Sequence, residues 1–491
     1  MFDTNRVAAS AASAVLVDQI CAATRAENRA AGARLTAIGA LDALRAREAA
    51  ADEYWSVDTF TAVAAEVAAT LTVSQGLACS FVTYARALRD RLPKVGELLT
   101  GGQISYWTFQ TIVFRTELIT DPNIIAAVDA TLAAKVARWS SLTRGRLGGF
   151  VDKIVARADA DAVRQRRERQ ADRGVGIWHT SDGVSHLFGW LISTDAHVLD
   201  ARLDSLAATV CAEDPRTAGQ RRADAMGALA AGAQRLACRC GSADCPAAGR
   251  PVPASVLIHV IAEQASLDGT GTAPGTLIDD DALIPAELLA DLAAGAKQRP
   301  LRHPADTPPE SGYVPSQSLA DFVRCRDLTC RFPGCDKPAI DCDLDHTIPH
   351  RRGGPTHASN LKAMCRQHHL VKTFLRWGDQ QLPDGTVIWR TPSGQTHVTT
   401  PGSAWLFPHL CAPTGELTPP QPASTDHCSD RTAMMPRRRR TRAENHARYI
   451  TAERAQNRNS RDARKKARQA AWFPPPSPPA DSDPDGDPPP F

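Results

Sequence analysis

The sequence predicts a mainly α N-terminal domain with a small α+β portion, then a small metal-stapled domain of hairpin and helix, then a disordered tail. Three observations predict it. The 491 residues are 43% hydrophobic but only 5% aromatic, and much of the apolar fraction is alanine, which favours helix without supplying core volume. Runs of β-prone residues are few and short. Cysteine and histidine concentrate between positions 330 and 369. The length leaves room for two or three domains plus tails, and the apolar fraction excludes wholesale disorder.

Taken in order, residues 5–169 read as Ala-rich helices, among them 57–71 and 74–92, punctuated by Gly101-Gly102 and Asp121-Pro122. At 175–192 β-prone runs flank Ser181-Asp182-Gly183, a good hairpin turn, and Ser193 or Thr194 can cap the helix that follows. A helix over 220–236 and a buried strand over 256–261 complete a first domain of residues 1–298. Pro300, Pro304, Pro308, Pro309 and Pro315 interrupt both kinds of regular structure, so 299–318 reads as a linker. The metal-stapled domain spans 319–378, and 379–436 reads as an irregular extension. The basic segment 437–468 and the Pro/Asp-rich tail 469–491 have too little apolar surface to offset ordering entropy and are expected to be disordered when free.

A net charge of +3 argues against a nucleic-acid partner only while it is taken as one number. Residues 319–376 carry +4 and residues 437–468 carry +10, against an acidic remainder. Such local basic patches are what a polyanion requires. The best N-terminal apolar run, 7–17, is too short and too weakly apolar to span a bilayer, so a soluble cytoplasmic protein is expected. Thirteen cysteines, an odd number spread through a long chain without a secretory signal, fit reduced thiols better than a disulfide framework.

Their spacing carries the chemistry. Cys330 and Cys335 form CxxxxC, and Cys365 and His368 form CxxH after 29 intervening residues. Two close pairs of such ligands can meet at the corners of a tetrahedron, the geometry of a closed structural zinc site. Asp345, His346, Asn360 and His369 are not needed for that site. On a short hairpin followed by a helix, with Gly353-Gly354 in the turn, Asp345 and His369 converge as ligands of a second, open-site divalent metal. His346 faces it, placed to take a proton from water, an arrangement suited to phosphodiester hydrolysis.

The segment SLADFVRCRDLTCRFPGCDKPAIDCDLDHTIPHRRGGPTHASNLKAMCRQHHLVKTFLR resembles an HNH endonuclease of the zinc-stapled ββα-metal type through CRFPGC, DH, GG, NL, CxxHH and the following Lys372, in that order. The resemblance implies that His346 is the general base, that Asp345 and His369 bind the catalytic ion (Mg2+ or similar), and that Asn360 constrains the loop that orients the base. It also implies DNA as substrate and products with a 3′-hydroxyl and a 5′-phosphate. Many relatives close the zinc site with CxxC, where this chain has His368. The whole chain resembles the actinobacterial 13E12 repeat family, a helical N-terminal domain of unknown function joined to an HNH domain. That wider resemblance rests on ACRCGSADC ending at Cys245, the join from Tyr313 to Cys335, and MMPRRRRTRAEN from Met434.

Arg351, Arg352, Lys362, Arg366 and Lys372 are candidate phosphate contacts, and the segment after Pro436 could bind DNA by counterion release. Cys238, Cys240 and Cys245 could supply three ligands to another zinc, with Cys211 or His303 as the fourth. The alternative to an endonuclease is a catalytically inactive zinc-containing DNA-binding or mobile-element accessory protein. An RNA nuclease is a third reading.

Overall fold

The computed structural model describes residues 11–48, 52–138, 143–164, 174–179, 184–191, 193–247, 259–278, 283–294, 296–305, 307–415 and 434–472. The chain forms two compact units. One comprises residues 1–64, 76–165 and 436–491, and the other comprises 65–75 and 166–435. Neither coincides with the domain limits expected from sequence, because the C-terminal helix returns to the first unit and the Pro-rich stretch belongs inside the second. Among the described residues, no single helix is long and apolar enough to cross a membrane.

Among the described residues the first unit is built mainly of helices, as its alanine content predicts: Ala11–Glu48, Thr59–Leu71 (whose last turns count with the second unit), Gln75–Arg86, Pro93–Thr100, Tyr106–Thr116, Pro122–Val136 and Arg144–Ala158. Its core consists of side chains such as Leu35, Val82, Leu99, Phe109, Ile112, Leu132 and Val151, all fully buried. Helix starts follow local chemistry. Ser105 accepts from the Thr108 amide and Asp121 from those of Asn123 and Ile124. The helix from Pro93 has no cap of its own; the buried Asp129 carboxylate, from another helix, accepts from the Lys94 and Val95 amides at 2.9 and 3.0 Å.

The C-terminal segment departs from expectation. Residues Arg442–Trp472 form a 31-residue helix fastened to this same unit. Asp58 receives Arg438 at 2.8 Å and Arg442 at 3.1 Å, Asp159 receives Arg454 at 2.6 Å, and Asp161 receives Arg458 and Arg461 at 3.0 and 2.7 Å. Buried Asn457 donates to the carbonyls of Asp161 and Val163, and Ile450 is buried. Composition alone predicted disorder because the acidic partners lie some 300 residues away in sequence. The Pro/Asp-rich stretch from 473 onward lies outside the described residues.

The second unit is α+β. Gly174–His179 and Ser185–Trp190 pair antiparallel as the expected hairpin, although its turn residues Ser181–Gly183 and the side chains of Ser193 and Thr194 lie outside the described set. Helices Ser193–Ala207 and Ala218–Ala230 follow, the second opened by a capping box of Thr217 and Gln220. The strand expected over 256–261 is described as Val260–Ile261, in a three-stranded sheet with Gly275–Leu277 and Leu283–Ile284. Its Ile261 and Ile278 join Leu319, Phe322, Val323, Leu361, Phe407 and Leu410 in one core. That core runs through both the supposed linker and the supposed irregular extension. The latter contains an antiparallel sheet of Gly378–Gln381, Val387–Arg390 and Thr396–Thr399, whose Trp389 is fully buried.

Candidate active site and metal centre

Strands Asp343–His346 and Leu361–Met364 pair antiparallel, with Asp345 opposite Lys362 and His346 opposite Leu361, and the helix Arg366–Phe374 follows at once. This is the hairpin-and-helix order expected from the sequence. The turn is pinned by Asn360, which is buried: its Oδ1 accepts from the Ile348 amide at 2.8 Å, and its Nδ2 donates to the carbonyls of Ile348 and Pro355 at 3.0 and 2.8 Å. Gly354 is required here, because a Cβ would lie 1.8 Å from the Ile348 carbonyl oxygen.

Cys330, Cys335, Cys365 and His368 bring their ligand atoms within 4.8 Å of one another, a group that could hold a metal ion. Cys365 Sγ lies 3.3 Å and Cys330 Sγ 3.7 Å from His368 Nδ1. The other ring nitrogen, Nε2, is 3.3 Å from Gln75 Oε1, which leaves Nδ1 for a metal, and Phe332 stacks on the imidazole at 4.1 Å. Hydrogen bonds from the neighbouring thiols of Cys330 and Cys335 hold the Cys365 thiol well below its ordinary range, while the same crowding pushes Cys335 well above. Three thiols packed this closely cannot all ionise without a cation among them. The donor set therefore suits zinc.

The second group lies one residue further along the helix. His369 Nε2 is 3.4 Å from Asp345 Oδ1, while His369 Nδ1 is 2.9 Å from Asp343 Oδ2, the carboxylate–imidazole pairing that orients histidine ligands. The other oxygen of Asp345, Oδ2, accepts from Lys362 at 2.9 Å and from Lys372 at 2.6 Å. Burial would raise the Asp345 carboxyl, but Lys362, Lys372 and His369 outweigh it and hold it well below the usual range. One carboxylate oxygen and one imidazole nitrogen thus face each other.

His346 is buried and its protonation is set by a relay. The Thr356 hydroxyl donates its single proton to the Gly312 carbonyl at 2.6 Å, so only its lone pairs face His346 Nε2 at 2.9 Å. Nε2 therefore carries the hydrogen and Nδ1 the lone pair when the ring is neutral. Burial lowers the ring's pKa to about 4, so the neutral form prevails near pH 7. Tyr313 stacks on it at 5.2 Å, and His350 lies edge-on at 5.6 Å.

The basic candidates divide. Arg351 and Arg352 are exposed beside the turn, and Arg366 is 67% exposed, 3.4 Å from Asp343. Lys362 is not a phosphate contact: its side chain is fully buried between Asp345 and Asp379, at 2.9 and 2.6 Å. Lys372, 10% exposed, bridges the same two carboxylates. Sequence reasoning missed Asp343, Asp379, Thr356 and Tyr313. Strand alternation could have drawn attention to Asp343, which is two residues from Asp345 and so on the same face. Nothing local marks the other three. Cys211 joins Cys238, Cys240 and Cys245 in a second metal-competent group, whereas His303 binds the Ala412 carbonyl and stacks edge-on against Phe322.

A family model described as "Domain of unknown function (DUF222)" matches residues 22–327. The chain is 44% identical over 470 residues to the uncharacterized protein Rv3776 of Mycobacterium tuberculosis, covering 90% of each. It is 43% identical over 486 residues to the uncharacterized protein Rv2100 of the same species, covering 90% of this chain and 87% of that protein. No solved structure matches it.

Proposed function

This chain belongs to the DUF222 family, and we propose that it is a metal-dependent HNH endonuclease of the 13E12 type, which hydrolyses DNA phosphodiester bonds. The observation that carries this reading is the approach of Asp345 and His369, whose Oδ1 and Nε2 lie 3.4 Å apart, with a neutral, buried His346 next to Asp345 on the same strand. A purely structural finger needs the cysteines and His368 and nothing of this second set. Cys330, Cys335, Cys365 and His368 hold a structural zinc, and Asp345 and His369 hold a catalytic divalent ion. That ion would supply stabilisation of negative charge on the phosphoryl group.

The chain's own residues do the rest. His346 accepts a proton from the attacking water at Nδ1, and the resulting imidazolium is held in place through Nε2 by Thr356. Asn360 fixes the turn that follows His346, and Asp343 holds the His369 ring in register. Arg351, Arg352 and Arg366 supply exposed positive charge for the DNA backbone.

One observation favours the rival, a zinc-containing DNA-binding protein without catalysis: two ammonium groups already neutralise Asp345 Oδ2. Plasmid DNA distinguishes the two. With purified protein and added Mg2+ or Mn2+, supercoiled plasmid is expected to become nicked or linear, chelator to stop the reaction, and His369→Ala to abolish it. Salt-dependent binding with no cleavage by the wild-type protein under any divalent ion would replace the nuclease reading with the rival.

A further inference from the structure

The cysteines that the nuclease reading leaves unused are not scattered. Helix Ser193–Ala207 and helix Ala218–Ala230 pack on a small core of Leu203, Leu206 and Ala225, with a second small cluster of Ala228, Ala233 and Leu236 beyond it. After the second helix the chain has no regular structure as far as 247, yet it is folded back on itself. The Cys238 amide donates to the Ala247 carbonyl at 2.9 Å, and Gly241, at φ +75°, turns the chain between Cys240 and Cys245. These bonds bring the three sulfurs together beside Cys211, which lies just past the end of the first helix.

The four Sγ atoms lie within 4.8 Å of one another, and Cys211 and Cys238 are 3.4 Å apart. Zn–S bonds of about 2.3 Å at tetrahedral angles place sulfurs about 3.8 Å apart, so shifts of an ångström or less suffice for the group to close on an ion. At 3.4 Å Cys211 and Cys238 are far beyond disulfide length, about 2.05 Å, and all four are free thiols. The carboxylate beside Cys238 is already committed: Asp214 is held by Arg216 at 2.8 Å and accepts from the Arg239 amide. A module with so few large buried side chains is of the size that a metal stabilises.

We propose that Cys211, Cys238, Cys240 and Cys245 bind a second zinc ion as a closed tetrathiolate, which fastens the two-helix module of residues 193–247. Four Zn–S bonds form as the four thiol protons pass to solvent, with no change of oxidation state. All four coordination positions are filled by protein, so the site is structural, and it stands independently of the nuclease reading.

Metal analysis of the full chain purified without chelator tests this. About two zinc ions per chain are expected, falling to about one in Cys240→Ser/Cys245→Ser. Because that variant could fail to fold, a second measurement uses the wild-type protein: alkylation of the native chain, mapped by mass spectrometry with and without chelator. Cys211, Cys238, Cys240 and Cys245 should be protected together and become reactive together when zinc is withdrawn. Replacement by Co2+ should add the absorption of a four-sulfur site to that of the three-sulfur, one-nitrogen site. One zinc per chain with these four thiols reactive throughout, or a Cys211–Cys238 disulfide in the native protein, overturns the proposal.

Discussion

The two basic segments looked alike in sequence and are used in opposite ways. In residues 319–376 two of the three lysines are withdrawn: Lys362 and Lys372 lie against Asp345 and Asp379, leaving the exposed charge to Lys337, which pairs with Asp341, and to arginines such as Arg351, Arg352 and Arg366. In residues 437–468 the arginines that a helical spacing lines up, Arg454, Arg458 and Arg461, meet Asp159 and Asp161. What remains exposed toward that helix's end is Arg464, Lys465, Lys466 and Arg468. A segment's net charge therefore does not measure the field it offers a polyanion. Burial and pairing decide which charges remain available.

The sharpest way to break the first region is through its proposed zinc site. Cys330→Ser removes a ligand from a buried group that holds the hairpin to the chain around Phe332, and the second unit should lose several kcal/mol of stability, on the order of 3–5. Thermal unfolding monitored by circular dichroism should show the loss; an unchanged midpoint would mean that this group binds no metal.

Next in size is Thr356→Val. It keeps the shape but leaves His346 Nε2 without its acceptor, so the ring is free to change tautomer. Cleavage should slow by about 10- to 100-fold at unchanged DNA affinity. The pH profile should also change, whereas loss of packing alone would leave its shape intact.

The second region yields to charge removal. Arg454→Ala leaves Asp159, only 11% exposed, without its partner and should loosen the C-terminal helix by about 1.5–3 kcal/mol, read as faster proteolysis within 442–472. Acid should act in the same direction. Burial would raise the Asp58 carboxyl, but hydrogen bonds from Thr61 and Arg442 outweigh it and hold it below its ordinary value. Its contribution is therefore fully present above the unfolded carboxylate pKa and is lost as pH falls through the lower folded one. Helix docking should be steady near neutrality and weaken only in acid.

The smallest expected effect is on binding. Arg351→Ala and Arg352→Ala should each weaken DNA affinity modestly across sequences and reduce the salt slope by about 1, whereas Lys362→Ala should act through stability.

The legibility of these regions follows from sequence distance. The zinc pairs could be read because each is close-spaced, and the ββα order because DH, GG, NL and HH mark its corners. Cys211, 27 residues before Cys238, could be named only as one of two candidate fourth ligands, beside His303, and Thr356 had no signature at all, because its role depends on the Gly312 carbonyl in a stretch that reads as linker. The helix Arg442–Trp472 was hidden because its docking partners, Asp58, Asp159 and Asp161, lie hundreds of residues upstream. Lys362 looked like a surface charge because its counter-ions come from two different strands, Asp345 from the site hairpin and Asp379 from the later sheet.

The proposed hydrolytic site depends above all on His346 as its base. This role is tested most directly by single-turnover cleavage of end-labelled DNA by wild type and His346→Ala, at protein concentrations that saturate the DNA in both cases. A fall of about 10²–10⁴-fold in rate is expected, with affinity and zinc content unchanged. Equal rates for the two proteins would contradict it.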